Sequence, residues 1–134
     1  MFDHIGIVVS ELKKARDFYT ACLMPLSIQL LEDHADADGE GWLVYGTGTV
    51  EPFFVVAAGR PSFWQASNQA GNAPDHIAFM AMSSQAVDEF HQAGLDNHGL
   101  DNGLPGPRPA PAGSYYAAYL IDPDGNNVEA GYRK

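Results

Sequence analysis

Two histidines and one glutamate are spaced as a metal site would need them. His4 and His76 lie in matching stretches, Asp3-His4-Ile5 and Asp75-His76-Ile77, offset by 72 residues in a chain of 134. The same offset maps Ala15 onto Val87, Asp17 onto Glu89 and Phe18 onto Phe90. A repeat of half the chain suggests two structural copies facing each other, each bringing one imidazole to a shared axis. Glu129 follows near the end of the chain, between Val128 and Ala130. A carboxylate in such a strand is costly to bury unless it is paired or bound to a cation. Two neutral imidazoles and one carboxylate can make a facial triad, which leaves coordination positions open for water and substrate. Such donors suit divalent Fe, Mn, Zn, Ni or Co and discriminate weakly among them.

Hydrophobic periodicity predicts the elements that must carry these residues. A strand is expected over 3–9, with Ser10 capping a helix in which Leu12, Ala15, Phe18 or Tyr19, and Cys22 recur at helical spacing. Pro25 stops that helix. Strands are then expected over 27–31, 41–46 and 53–58, giving β-α-β-β-β. The second half repeats the order. A strand over 75–82 precedes a helix capped by Ser83 or Ser84, carrying Val87, Phe90 and Ala93 and ended by Gly94. Further strands are expected near 95–97 and over 114–121 and 127–132, the last two joined by the turn Asp122-Pro123-Asp124-Gly125-Asn126. Strand alternation puts His4 on one face with Gly6 and Val8, and His76 on one face with Ala78 and Met80. The larger Ile5, Ile7, Ile77 and Phe79 point the other way, toward the helices.

This pattern predicts an α+β fold of one domain. Module 1 covers about 1–58, a linker about 59–74, and module 2 about 75–134. Residues 100–113 hold four prolines and three glycines, so regular structure is not expected there, and the segment reads as a flap over a pocket. The acidic run Glu32 to Glu40 lacks the spacing of a calcium loop and reads as a solvated hairpin. Net charge of −10 argues against nucleic-acid or anionic-membrane partners, whose phosphates need lysine and arginine. No apolar stretch is long enough to cross a bilayer, no secretory signal is visible, and Cys22 is the only cysteine. A cytoplasmic protein binding a small molecule is the expectation.

The chain resembles the vicinal oxygen chelate superfamily of glyoxalases, fosfomycin-resistance thiol transferases, bleomycin-resistance proteins and extradiol dioxygenases. The resemblance rests on Asp3-His4-Ile5-Gly6-Ile7-Val8-Val9, Arg16-Asp17-Phe18-Tyr19, Asp75-His76-Ile77-Ala78-Phe79, and Asp122 through Glu129. It implies paired βαβββ modules forming a cupped mixed sheet around a central cavity, with helices on the outer face. It also implies a divalent metal on His4, His76 and Glu129, with a homodimer common because modules often pair between chains. Many members take a fourth ligand from the last strand of the first module. Since Glu129 lies 53 residues after His76, its counterpart is expected near residue 57, within Phe54-Val55-Val56-Ala57-Ala58, where no ligand stands. Glu51 could supply a fourth ligand only if the modules differ by an insertion.

A metal in such a site would stabilise negative charge developing on substrate oxygens, and Glu129 is the candidate catalytic carboxylate. The expected activity is glyoxalase-like isomerisation, lyase or transfer chemistry. Extradiol-type ring cleavage with Fe(II) and metal-free sequestration of a ligand are the alternatives. The expected pocket draws on Trp42, Phe54, Phe63, Trp64, Tyr115, Tyr116 and Tyr119, with Arg108 in the flap to hold an anionic group.

Overall fold

The structure, a computed structural model, describes residues 1–48, 50–59, 75–109 and 114–134. In chain order the elements are β1 (His4–Val9), α1 (Leu12–Leu23), a short 3-10 turn (Met24–Leu26), β2 (Gln29–Asp33), β3 (Gly41–Gly46) and β4 (Phe53–Ala58). Module 2 follows with β5 (His76–Met80), α2 (Ser84–Leu95), β6 (Leu100–Arg108), β7 (Tyr115–Ile121) and β8 (Asn127–Arg133). They form two four-stranded mixed sheets of matching order, β1-β4-β3-β2 and β5-β8-β7-β6. The duplicated βαβββ architecture expected from the repeat is therefore present.

One core runs through both modules. It gathers Ile7, Val9, Leu12, Phe18 and Tyr19 with Ile77, Val87, Phe90, Leu120 and Val128. Helix α1 packs on α2, and each helix covers the back of its own sheet. The front faces carry His4, Gly6 and Val8 in one sheet and His76, Ala78 and Met80 in the other. The alternation read from the sequence holds for Ile7, Ile77 and Phe79, whereas Ile5 at the start of β1 is left exposed. Phe54 departs from it: the residue expected in a pocket is buried on the helix side, edge-on to both Tyr19 and Phe79. Tyr116 is likewise turned to the helix side, where its hydroxyl donates to Asp88 of α2 at 2.7 Å.

Four local expectations are corrected. Ser83 caps α2 by accepting from the Ala86 amide at 3.1 Å, but the N-cap of α1 is Glu11, with no side-chain bond, rather than Ser10. Gly94 lies inside α2 and does not end it. A Cβ there would run into Leu120 of β7, so the glycine permits close packing of helix on sheet. The strand expected near 95–97 begins instead at Leu100. The proline-rich segment is mostly strand: Leu100–Arg108 pairs with β7 through two register shifts. Prolines are tolerated there because β6 is the edge of its sheet and one row of its amide positions needs no partner. Beside that strand His91 of α2 is buried and pairs with Asp101 at 2.8 Å, tying α2 to β6.

The turn between β7 and β8 is fastened from several sides. The buried Asp122 carboxylate accepts from the Asp124 and Asn126 amides, from the Asn126 side chain at 2.9 Å and from the Tyr19 hydroxyl at 2.6 Å. Asn126 in turn accepts from the Asp75 amide at 3.1 Å, and the Asn127 amide donates to the Asp75 carbonyl at 2.8 Å. Among the described residues, no helix is long and apolar enough to cross a membrane. Tyr19→Phe removes one donor from a buried carboxylate and is expected to cost about 1.5–3 kcal/mol. Urea denaturation should show a lower midpoint with an unchanged slope.

Candidate metal and ligand site

The Asp75 bonds set the relation of β5 to β8, and that relation builds the site. With His76 opposite Asn127 in this parallel pair, Ala78 stands opposite Glu129. His76 and Glu129 then meet: Nε2 lies 3.2 Å from Oε2. The imidazole is half exposed, whereas Glu129 is 5% exposed. The small Ala78 leaves room beside the ring.

The two oxygens of Glu129 are engaged differently. Oε1 accepts a 2.5 Å hydrogen bond from the Tyr115 hydroxyl, which leaves Oε2 turned to His76. Tyr115 can reach across because residue 131 is glycine; a Cβ there would land on the phenol oxygen. Desolvation, together with the neighbouring carboxylate, pushes the Tyr115 pKa up to about 12. The phenol therefore holds its proton at neutral pH and serves as a donor. Tyr119 faces Glu129 directly across the β7–β8 pairing and lies over Gly103. Arg108 rests over the Tyr119 ring and Arg133 over the Tyr115 ring, at 5.3 and 4.2 Å from the centroids. Of the residues expected to line a pocket, Arg108, Tyr115 and Tyr119 thus share the face of Glu129. Arg133 and Gly131 were missed. The signal for both was available, since they follow Glu129 at even spacing on one strand.

His4 stands elsewhere. It is exposed, and its Nδ1 donates to Asp3 Oδ1 at 2.6 Å, which in a neutral ring makes Nε2 the lone-pair nitrogen. Its surroundings are apolar: Gly6 pairs with Val55 and Val8 with Ala57, while Trp42 and Val44 follow on β3. Trp42 stacks on His34 at 4.7 Å. Phe63 and Trp64 lie outside the described residues. The counterpart of Glu129 is Val55, two places before the expected position. The modules are offset by 72 residues at their first strands (76 against 4) but by 74 at their last (127 against 53). Glu51 sits in an exposed turn before β4 and is no counterpart.

Two donors therefore fit a divalent metal. Ligands held cis at about 2.1 Å from one cation stand about 3 Å apart, close to the His76–Glu129 distance. Among the described residues of one chain, no group of three His, Cys, Asp or Glu is placed to hold a metal ion. Beside the pair, a cleft of about 270 Å³ runs between the edge strands β1 and β5, lined by Ile5, Gly6, Ile7 and residues Asp75 to Ala78.

Residues 1–130 match the sequence model of the Glyoxalase/Bleomycin resistance protein/Dioxygenase superfamily. Among solved structures, a glyoxalase/bleomycin resistance protein from Albidiferax ferrireducens T118 is 30% identical, with 99% of each chain covered and a TM-score of 0.75. TioX from Micromonospora sp. ML1 shares the fold at 14% identity, covering 100% of this chain and 99% of its own, with a TM-score of 0.70. A glyoxalase/bleomycin resistance protein/dioxygenase family enzyme from Burkholderia phytofirmans PsJN does so at 16% identity, covering 98% of each chain, with a TM-score of 0.68. Among proteins of curated function, none matches the chain.

The raised Tyr115 pKa fixes a sign. Its folded-state value of about 12 lies above the ordinary value of about 10, so the proton's contribution to stability is whole below the ordinary value and is lost as pH rises through the folded one. In Glu129→Gln the phenol loses its charged acceptor. Tyrosinate absorbance followed against pH should gain a group that ionises nearer the ordinary value. Gly131→Ala, which displaces the phenol, should have the same effect.

Proposed function

The chain belongs to the glyoxalase/bleomycin resistance protein/dioxygenase superfamily, and on that premise we propose a metal-dependent, glyoxalase-like enzyme acting on a small oxygen-bearing substrate. The observation that carries the reading is the meeting of His76 with Glu129 on a face otherwise open to solvent. A nearly buried carboxylate needs a cationic partner. Protonated His76 is one answer and a divalent metal is another, with neutral imidazole beside it.

The third donor is His4, supplied by a second copy of the chain. Each copy offers one half of the set on each of two open sheet faces, and twofold symmetry turns two such halves into two complete sites. The exposed apolar side chains of these faces favour the same arrangement: Met80 and Trp42 stand 78% and 40% exposed. Asp3 presents His4 in one tautomer, and Tyr115 orients Glu129 so that Oε2 is turned to His76. When bound, the metal would polarise substrate oxygens and stabilise an oxyanion. Glu129 is the carboxylate best placed to move a proton there, while Tyr115 excludes water from one side and donates. With Fe(II), the same donors would suit extradiol-type ring cleavage. A metal-free, ligand-sequestering protein is favoured by one observation, the lack of a three-donor group among the described residues of a single chain.

Metal analysis of protein purified without chelators should find bound divalent metal in a dimer. His4→Ala and His76→Ala should each weaken metal affinity by at least about tenfold. Refolding the two variants together should restore part of the binding, because mixed dimers contain one intact site. A monomer with a full complement of metal would remove the second copy from the proposal. A metal-free dimer that still binds small molecules would leave sequestration.

A further inference from the structure

The charges on the Glu129 face are unusual for this chain. It has 17 acidic and 7 basic residues. Lys13, Lys14 and Arg16 of α1 each lie against a carboxylate, at 3.4, 3.0 and 2.9 Å. Among the described residues, Arg108 and Arg133 have no such ion pair. They flank one tyrosine across three strands, since Arg108 pairs with Tyr115 in β6–β7 and Tyr115 pairs with Arg133 in β7–β8. Directly cross-strand residues share a face, so both guanidinium groups stand on the side of Glu129.

Both arginines also lean toward the site. Arg108 lies over Tyr119, the residue opposite Glu129, and Arg133 lies over Tyr115, whose hydroxyl is bonded to Glu129. Stacking on a ring fixes the plane of a guanidinium and leaves its edge free to donate. Arg108 spends two N–H groups on the Leu104 and Pro107 carbonyls of its own strand. A guanidinium has five donors, so further N–H groups remain for a ligand. The next row of the sheet is Gly106, Ala117 and Gly131, small residues over which the Tyr115 phenol and the Arg108 guanidinium lie.

We propose that Arg108 and Arg133 form the subsite for an oxyanion, a carboxylate or phosphonate carried on the substrate, with the substrate body extending from the guanidinium edges toward Glu129. The proposal rests on the reading of this face as the substrate face, and it names the class: a small molecule carrying an oxyanion. Planar guanidinium edges match oxyanions in two-point contacts. The negative charge of the chain as a whole makes two unpaired cations on one face a selective feature rather than part of a general attraction.

The test is calorimetric titration of the full chain, stripped with EDTA, with benzoate, phenylphosphonate and the neutral benzamide. Benzoate and phenylphosphonate should bind, and benzamide at least about tenfold more weakly. Arg108→Gln and Arg133→Gln should each weaken the two anions by a similar factor and leave benzamide unchanged, with circular dichroism confirming the fold. Added salt should weaken the anions alone. Equal binding of benzamide, unchanged anion affinity in the double variant, or no binding of either anion at millimolar concentration would each overturn the proposal. Because the measurement needs no metal, it fails or succeeds separately from the metal analysis above.

Discussion

The buried carboxylate of Asp122 holds the site in register. It collects four donors, two of them from other side chains, and one of those comes from the first module. Through Asn126 the same turn holds Asp75, the residue before His76. Position along a strand has a period of two, so a slip of one place would turn Glu129 to the core and Val128 to solvent. The network prevents that slip in β8 and aligns β5 with it. Chemistry on the front of the sheet thus depends on a hydrogen-bonded knot at its end, packed beneath a tyrosine from the other module.

The two modules share a backbone plan and differ in surface chemistry. Around His4 the front of the first sheet is apolar, with Val55, Ala57, Val44 and Trp42. Around His76 the second front is polar, with Glu129, Tyr115, Tyr119 and two arginines. One half presents a single imidazole in a hydrophobic setting; the other presents a carboxylate and two arginines that lack an acidic partner among the described residues. A ligand held between two such faces would have its polar end oriented by one and its apolar body covered by the other. This is the usual division in small-molecule sites.

Much of this was legible in the sequence, and the reasons are local. The Asp-His-Ile repeat marked both first strands, and each aspartate occupies the same place in its sheet. Its carbonyl accepts from the amide at the start of the neighbouring parallel strand, Phe53 in one module and Asn127 in the other. The turn chemistry of Asp122 to Asn126 fixed the register of Glu129. What could not be read depended on contacts between distant segments. Phe54 is aromatic and lies in a strand, and only the packing of Tyr19 and Phe79 against it decides that it faces inward. The strand at 100–108 was hidden because proline lowers strand propensity regardless of edge position. The shift of the Glu129 counterpart from residue 57 to Val55 came from two additional residues between the first and last strands of module 2, which a constant offset cannot represent.

Val55 itself has a consequence. It sits beside Gly6 as Glu129 sits beside Ala78, so the backbone of the first module already offers a carboxylate's place and fills it with a hydrocarbon. The two modules share a scaffold, and only the second carries the functional group. What remains is a lopsided donor set, in which one copy supplies an anion and the other does not. A cation held there would carry one fewer negative ligand and so more residual positive charge to share with a guest. That imbalance favours guests that arrive already negatively charged.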